Sequence, residues 1–282
     1  DQYKTHYYQP GFLFIPFGIY KKEDVIKPKH NFFPPGTRVI FSAIDKVIGK
    51  ENKVVLEDGK VLRYDYLIIA TGTETRPSET PGLKDKLWYK DIFDFYTIEG
   101  ALALHKRFKD WEGGNLVMCI PELPYKCPVA PIEFVCLAEA YFAERGMRDK
   151  VNISYVTLMS GAFTKPVASK MLGDLLKEKN IEVVPDFYLS HVDNDNKKII
   201  SYDDREIPFD ILTIVPVNMG SDMIERSGLG NDMNYVRTDK YTLQSEDFEN
   251  IFVIGDAANI PTSKAGSVAH FAAEILTENI LA

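Results

Sequence analysis

A proline-rich loop with a cysteine in its middle is the stretch of this sequence whose residue types could do chemistry. Residues 121–131 hold Cys127 among four prolines, at positions 121, 124, 128 and 131. A cysteine reacts as its thiolate, which attacks sulfur or an electron-poor carbon. A helix is expected to begin near Pro128, because proline favours the first helical position. The positive end of that helix and the charge of Lys126 should both lower the pKa of the Cys127 thiol, which predicts a reactive cysteine.

The elements on either side of the loop predict the opening of a dinucleotide-binding unit. Leu116–Ile120 is a short apolar run typical of a buried strand, and Ile132–Phe142 is apolar on most faces, as in a buried helix. Such a loop normally carries glycines, whose bare backbone lets N–H groups approach a pyrophosphate. Prolines have no N–H to give. The loop therefore has the outline of a nicotinamide-binding loop that cannot hold the phosphates, with Cys127 where the cofactor would lie.

Composition limits the classes of function. The 282 residues suffice for roughly two domains, 45% of them are apolar, and the net charge of −8 disfavours nucleic-acid binding. No apolar run approaches the roughly 20 residues that span a membrane. Three cysteines are too few for a disulfide scaffold, and the five histidines are scattered, so no metal site is expected.

The order of the remaining elements predicts a duplicated α/β architecture. The first half shows a meander, a central parallel strand ending in Thr71-Gly72, and a helix before Gly113-Gly114: Val39–Ile44, Lys53–Leu56, Val61–Tyr64, Tyr66–Ala70 and Asp94–Trp111. The second half repeats strand, helix, strand, meander and strand over Val151–Leu158, Val167–Lys179, Ile181–Val184, Val192–Asp203, Arg205–Pro208 and Phe209–Val215. A last buried strand, Asn250–Ile254, and a helix, Ser267–Leu281, follow. We therefore expect two Rossmann-like domains, each with a parallel sheet and a small antiparallel meander.

The sequence resembles the flavoproteins with two dinucleotide-binding domains, the FAD-dependent pyridine nucleotide-disulfide oxidoreductases. Within them it resembles the sulfide:quinone oxidoreductases and flavocytochrome c sulfide dehydrogenases. The segments that carry the resemblance are Tyr7-Tyr8-Gln9-Pro10-Gly11, Ala70-Thr71-Gly72, Pro124-Tyr125-Lys126-Cys127-Pro128, Phe209-Asp210-Ile211-Leu212 and Ile254-Gly255-Asp256-Ala257. The resemblance implies an FAD-binding domain of residues 1–112 and 237–282, incomplete at its N-terminus. Residues 113–236 would form a degenerate NAD-binding-like domain that carries the redox cysteine.

The resemblance also implies roles for individual residues. Asp256 would hold the ribityl chain of FAD, Asp1 the adenosine ribose, and Lys264 would lie near the pyrimidine edge of the flavin. The full set of implied cofactor-binding residues is Asp1, Pro10, Gly11, Ala43, Thr71, Gly72, Gly255, Asp256, Ala257 and Lys264. The implied catalytic residues are Cys127, Glu133 as a proton carrier, and Lys264, which favours negative charge on the reduced ring.

The activity implied by the resemblance is the oxidation of sulfide, with electrons passing through FAD to a quinone. Sulfide would attack a disulfide between Cys127 and a second cysteine beyond residue 282, and the sulfur would leave as polysulfide. A glycine-rich unit of about 30 residues would precede Asp1. The resemblance further implies a cytoplasmic protein, with peripheral membrane association on the inner face through a C-terminal region beyond residue 282. The resemblance is also compatible with a protein that forms a homo-oligomer.

Three other functions remain open from the sequence. A type II NADH dehydrogenase shares the fold but needs an intact nicotinamide loop, which the four prolines oppose. A sulfide dehydrogenase flavin subunit would pass electrons to a cytochrome on a partner chain. A flavin-free remnant would serve as an interaction module.

Overall fold

A computed structural model describes residues 1–281 of the chain. Its α-helices are α1 (Ile98–Asp110), α2 (Ala130–Glu144), α3 (Pro166–Glu178), α4 (Asp222–Arg226) and α5 (Gly266–Leu281). Its strands are β1 (Thr5–Tyr7), β2 (Ile26–Pro28), β3 (Ile44–Ile48), β4 (Lys53–Leu56), β5 (Val61–Arg63), β6 (Leu67–Ile69), β7 (Glu74–Arg76), β8 (Ile92–Phe93), β9 (Gly114–Ile120), β10 (Val151–Thr157), β11 (Ile181–Val184), β12 (Leu189–Asp193), β13 (Lys198–Ser201), β14 (Glu206–Pro208), β15 (Ile211–Ile214), β16 (Val217–Met219), β17 (Val236–Arg237), β18 (Ile251–Val253) and β19 (Ala258–Asn259).

The largest sheet is parallel, with the strand order β11-β10-β9-β15-β8. The central strand β9 is buried on both faces. Leu116, Met118 and Ile120 point into the core that contains α1 and α2. Val117 and Cys119 point into a second core that contains residues of the antiparallel meander β12-β13-β14. Cover on both faces explains why β9 is an unbroken apolar run.

The other half of the chain contains the parallel pair β6 and β18 and the antiparallel meander β3-β4-β5. Two short pairings, β7 with β16 and β17 with β19, join segments from distant parts of the sequence. Together the elements confirm the expected α/β class with parallel sheets and antiparallel meanders.

Most expected elements lie where the periodicity placed them. The bounds of β4 and β11 match the expectation, and the Asp58-Gly59 turn joins β4 to β5 with Gly59 at φ +82°. The strand expected at Val39–Ile44 is wrong, because β3 runs over Ile44–Ile48. Ile48 pairs with Lys53 across a short turn in which Asn52 is left-handed. The ladder therefore starts at the turn and uses the residues nearest to it.

The helix expected from Asp94 begins at Ile98, because Asp94 caps the approach to α1 instead of joining it. The Asp94 carboxylate is buried and accepts hydrogen bonds from the backbone N–H groups of Tyr96 and Thr97, at 2.9 and 2.6 Å. The Tyr89 hydroxyl donates to it at 2.9 Å. A Cβ at Gly100 would lie 2.5 Å from the Asp94 carbonyl oxygen, so the first turn of α1 needs that glycine.

The expected domain boundary at residues 112 and 113 falls directly after α1. β8 pairs with β15, and α1 packs into the same core as α2, so residues 92–110 contribute to the sheet unit that β9 begins. The assignment of residues 1–112 and 237–282 to one domain and 113–236 to the other stays a prediction. No helix within residues 1–281 combines the length and apolar character that a membrane crossing requires.

Replacing Asp94 with Ala is expected to lower the free energy of unfolding by about 2–4 kcal/mol, because four buried or partly buried donors lose their acceptor. Urea denaturation followed by circular dichroism measures the change. Asp110→Ala is the matched control, since Asp110 is exposed at the last position of the same helix. It should change stability by less than about 0.5 kcal/mol. Equal losses in the two variants would contradict the anchoring role of Asp94.

Candidate functional site

A cleft of about 610 Å³ opens where the loop after β9 meets the turns that follow β6 and β18. Seven sequence-predicted site residues line it together: Pro10, Gly72, Cys127, Glu133, Gly255, Asp256 and Lys264. Aromatic and aliphatic side chains, among them Phe14, Phe95 and Tyr96, line the rest. Apolar walls with a few convergent polar groups are typical of a site for a small molecule or cofactor.

Glycine turns form one side of the cleft. Because β6 and β18 are parallel neighbours, their carboxyl ends lie at the same edge, followed by Gly72 and Gly255. Both glycines have positive φ, +71° and +67°. A Cβ at Gly72 or Gly266 would meet no atom within 4 Å, so there is open space beside the backbone at both positions. α5 begins at Gly266, and the positive end of its dipole favours an anionic group there.

The cysteine loop forms the opposite side. Cys127 has a left-handed backbone, with φ +54°. Its N–H donates to the Lys264 carbonyl at 2.7 Å, and its own carbonyl accepts from the Ala130 N–H at 3.0 Å. α2 begins at Ala130, close to the start expected near Pro128, but the proline in its first turn is Pro131. The left-handed turn at Cys127 redirects the chain before the helix can form.

Three of the N–H groups that the loop retains donate to acceptors in the protein itself. Lys126 N–H donates to the Asn218 side-chain oxygen at 3.3 Å, and Leu123 N–H donates to the Glu122 carboxylate at 3.2 Å. Cys127 N–H is held by Lys264. These three donors are therefore not available to a pyrophosphate, which agrees with the expectation drawn from the prolines.

The electrostatic setting of Cys127 differs from the one expected from its neighbours in sequence. Burial raises the pKa of the thiol, and the carboxylates of Glu133 and Asp256 raise it further, while the Ala130 N–H acts in the opposite direction. The lowered pKa expected from Lys126 is therefore wrong for this structure. The Lys126 ammonium instead donates to the Gln9 side-chain oxygen at 3.1 Å.

Lys264 is buried, and its ammonium holds the glycine–aspartate turn. It donates to the carbonyl of Asp256 at 2.7 Å and to that of Ala258 at 3.3 Å. It lies 3.7 Å from the centroid of the Tyr235 ring, a cation–π contact. Burial lowers the pKa of Lys264 to about 8, against the attraction of Asp256. Its expected placement near a flavin ring stays a prediction.

The remaining sequence-predicted residues lie outside the cleft lining. Asp1 is exposed and forms an ion pair with Lys29 at 2.6 Å. A Cβ at Gly11 would lie 2.5 Å from the Val25 side chain, which explains that glycine by packing. The other three are Ala43, whose carbonyl accepts from Glu57, the exposed Thr71, and the fully buried Ala257.

Sequence reasoning missed the aromatic floor of the cleft. Phe95 stacks on Phe134 of α2 with ring centroids 4.8 Å apart, and Tyr96 stacks on Phe95 at 5.0 Å. Both lie where the sequence predicts a helix from Asp94, whereas the helix begins at Ile98. The spacing of Asp94 and Thr97 was the available signal, because an Asp three residues before a Thr can cap a turn and leave the intervening residues non-helical.

Comparison with known proteins gives a consistent picture. The family model for the central part of the flavoprotein chain of flavocytochrome c sulfide dehydrogenase matches residues 101–216. The mitochondrial sulfide:quinone oxidoreductase of Dictyostelium discoideum is 28% identical over 99% of this chain. The chain spans only 63% of that relative.

Among solved structures, the sulfide:quinone oxidoreductase of Aquifex aeolicus superposes with a TM-score of 0.84 at 20% identity. The match covers 99% of this chain and 69% of that one. A chain in the mitochondrial ATP synthase of Tetrahymena thermophila superposes with a TM-score of 0.79 at 21% identity, covering 99% of this chain and 72% of that one. At these identities both likenesses concern the fold.

Replacing Glu133 with Gln is expected to lower the pKa of the Cys127 thiol, because one of the carboxylates that raise it is removed. Since Glu133 is exposed and its charge is screened, alkylation of Cys127 by iodoacetamide at pH 8 should rise about two- to threefold. Mass spectrometry of the Cys127 peptide across pH 6–10 measures the rate. Glu144→Gln, at the far end of α2, is the control and should leave the profile unchanged. The same profile in both variants would contradict the coupling.

Proposed function

We propose that the chain acts in FAD-dependent oxidation of sulfide, with quinone as the electron acceptor, because it is similar to sulfide:quinone oxidoreductases and to the flavoprotein chain of flavocytochrome c sulfide dehydrogenase. One observation carries the proposal: the sulfur-bearing loop and the glycine turns face each other across a single cleft. Cys127 lies on one side, and Gly72, Gly255 and Asp256 lie on the other.

FAD is the cofactor that the comparisons indicate, and the residues present fit it. The open space beside Gly72 and Gly266 admits an extended ligand close to the backbone, and the start of α5 favours its phosphates. The Asp256 carboxylate lines the same cleft and can accept hydrogen bonds from a ribityl chain. When bound, FAD supplies two-electron transfer between a sulfur donor and a quinone.

Cys127 is the proposed sulfur acceptor. The sulfide sulfur would form a bond to the Cys127 sulfur and break a disulfide to a second cysteine, which the resemblance places beyond residue 282. That second cysteine leaves as a thiolate. The proton released from hydrosulfide would pass to Glu133, which is exposed at the mouth of the cleft and raises the pKa of the Cys127 thiol through its charge.

The engaged N–H groups of the cysteine loop favour sulfide over a nicotinamide as the electron donor. A nicotinamide dinucleotide needs free backbone donors for its pyrophosphate. Three backbone N–H groups of the loop, those of Leu123, Lys126 and Cys127, already donate to acceptors in the protein. A small anion needs no such cradle and can reach the thiol through the cleft.

A flavin-free interaction module is the second candidate, and the likeness to a chain of the Tetrahymena ATP synthase favours it. In that role the fold would serve assembly with partner chains, and the cleft would hold no cofactor. The absorption spectrum of the purified protein separates the two candidates. Flavin bands support the oxidoreductase, and their absence together with no uptake of added FAD supports the module.

Replacing Cys127 with Ser is expected to reduce sulfide-dependent quinone reduction by a factor on the order of a hundred or more, because the sulfur acceptor is lost. Stopped-flow absorbance of the flavin and the quinone measures the rate. Cys136→Ser is the matched control, since Cys136 is a half-buried cysteine on α2 that does not line the cleft. Undiminished turnover in the Cys127 variant would refute the assignment.

Replacing Asp256 with Ala is expected to weaken FAD binding about tenfold or more, because a hydrogen-bond acceptor facing the cleft is removed. Titration of the apoprotein with FAD, followed by quenching of flavin fluorescence, measures the affinity. Asp232→Ala controls for loss of charge, since Asp232 is exposed outside the cleft. If both variants bind FAD as tightly as the parent protein, Asp256 is not a cofactor ligand.

A further inference from the structure

The hydroxyl of Tyr96 is buried without a hydrogen-bond partner among the residues that the structure describes. Tyr96 is only 8% exposed, and it lines the cleft that contains Cys127. A buried hydroxyl with no partner is unfavourable unless something supplies an acceptor. Because Tyr96 lines the cleft, the cleft is where such an acceptor can be supplied.

Two neighbouring tyrosines differ from Tyr96, because their hydroxyls have hydrogen-bond partners. The Tyr125 hydroxyl donates to the Pro128 carbonyl at 3.2 Å, within the cysteine loop. The Tyr155 hydroxyl donates to the Ala162 carbonyl at 3.2 Å. All three rings belong to the same core, and Cys127 packs against that core. Only Tyr96, among these three, has an unpaired hydroxyl and lines the cleft that Cys127 also lines.

The charged groups around Cys127 leave its anion poorly compensated. From α2 the Glu133 carboxylate opposes ionisation, and from the turn after β18 the Asp256 carboxylate does the same. The two nearby ammonium groups are engaged elsewhere, that of Lys264 by backbone carbonyls and that of Lys126 by Gln9. A sulfur anion at this position therefore needs a neutral donor.

We propose that the Tyr96 hydroxyl donates a hydrogen bond to the sulfur anion that forms at Cys127. This inference rests on the proposed function, because it makes Tyr96 the group that stabilises the reacting sulfur. A neutral thiol is a weak acceptor and a thiolate is a strong one, so the hydroxyl gains its partner only when the thiol ionises. A donor positioned in advance, where charge develops, is a common device for stabilising an anion.

Tyr96→Phe tests the proposal, because it removes one oxygen atom and keeps the ring. The rate of iodoacetamide alkylation of Cys127 at pH 8, followed by mass spectrometry, should fall about tenfold as the pKa of the thiol rises. The melting temperature of the thiol form should stay the same or increase, since an unpaired buried hydroxyl is removed. Loss of an ordinary structural hydrogen bond would lower the melting temperature instead.

Tyr155→Phe is the matched control, since its hydroxyl is buried and already bonded. It should leave the alkylation profile unchanged and lower the melting temperature. An unchanged profile in Tyr96→Phe overturns the proposal even if the protein oxidises sulfide. A shifted profile in a protein that shows no sulfide-dependent quinone reduction supports the donor role of Tyr96 and counts against the proposed function alone. The two failures are therefore distinguishable.

Discussion

A single backbone hydrogen bond, from Cys127 N–H to the Lys264 carbonyl, joins the loop after β9 to the turn before α5. The side chain of the same lysine donates to the carbonyls of Asp256 and Ala258. One residue thus fixes the cysteine loop, the glycine–aspartate turn and the start of α5 relative to one another. A left-handed non-glycine residue costs about 1–3 kcal/mol, so the backbone of Cys127 persists because these contacts over-determine it.

The ammonium groups of Lys126 and Lys264 both make hydrogen bonds that hold the walls of the cleft together. The sequence places Lys126 next to Cys127, which suggests an activated thiol. In the fold, the ammonium of Lys126 is turned to Gln9 and that of Lys264 is buried among carbonyls. Burial and two carboxylates then dominate and raise the pKa of the thiol. A lysine next to a cysteine in the sequence need not lower the pKa of the thiol, because tertiary contacts decide where the long lysine side chain points.

The sequence predicted what depends on local pattern. β9, β11 and the hairpin at Asp58-Gly59 follow from apolar runs and turn chemistry, and both glycine turns of the cleft follow from strands that end in glycine. Features set by contacts between distant residues were not predictable. The start of α2 depends on the left-handed Cys127, whose N–H donates to the distant Lys264 carbonyl. The partners of Lys264 and the unpaired Tyr96 hydroxyl likewise require the assembled fold.

The prolines of the cysteine loop and its tertiary contacts both reduce the number of free N–H donors in the loop. They remove N–H groups, and the tertiary contacts engage those of Lys126, Cys127 and Leu123. These three N–H groups are therefore not available to a pyrophosphate. The same engagement holds the sulfur at a fixed point in a mostly apolar cleft. The absence of these donors for a nicotinamide pyrophosphate and the fixed backbone of Cys127 thus have a common physical cause.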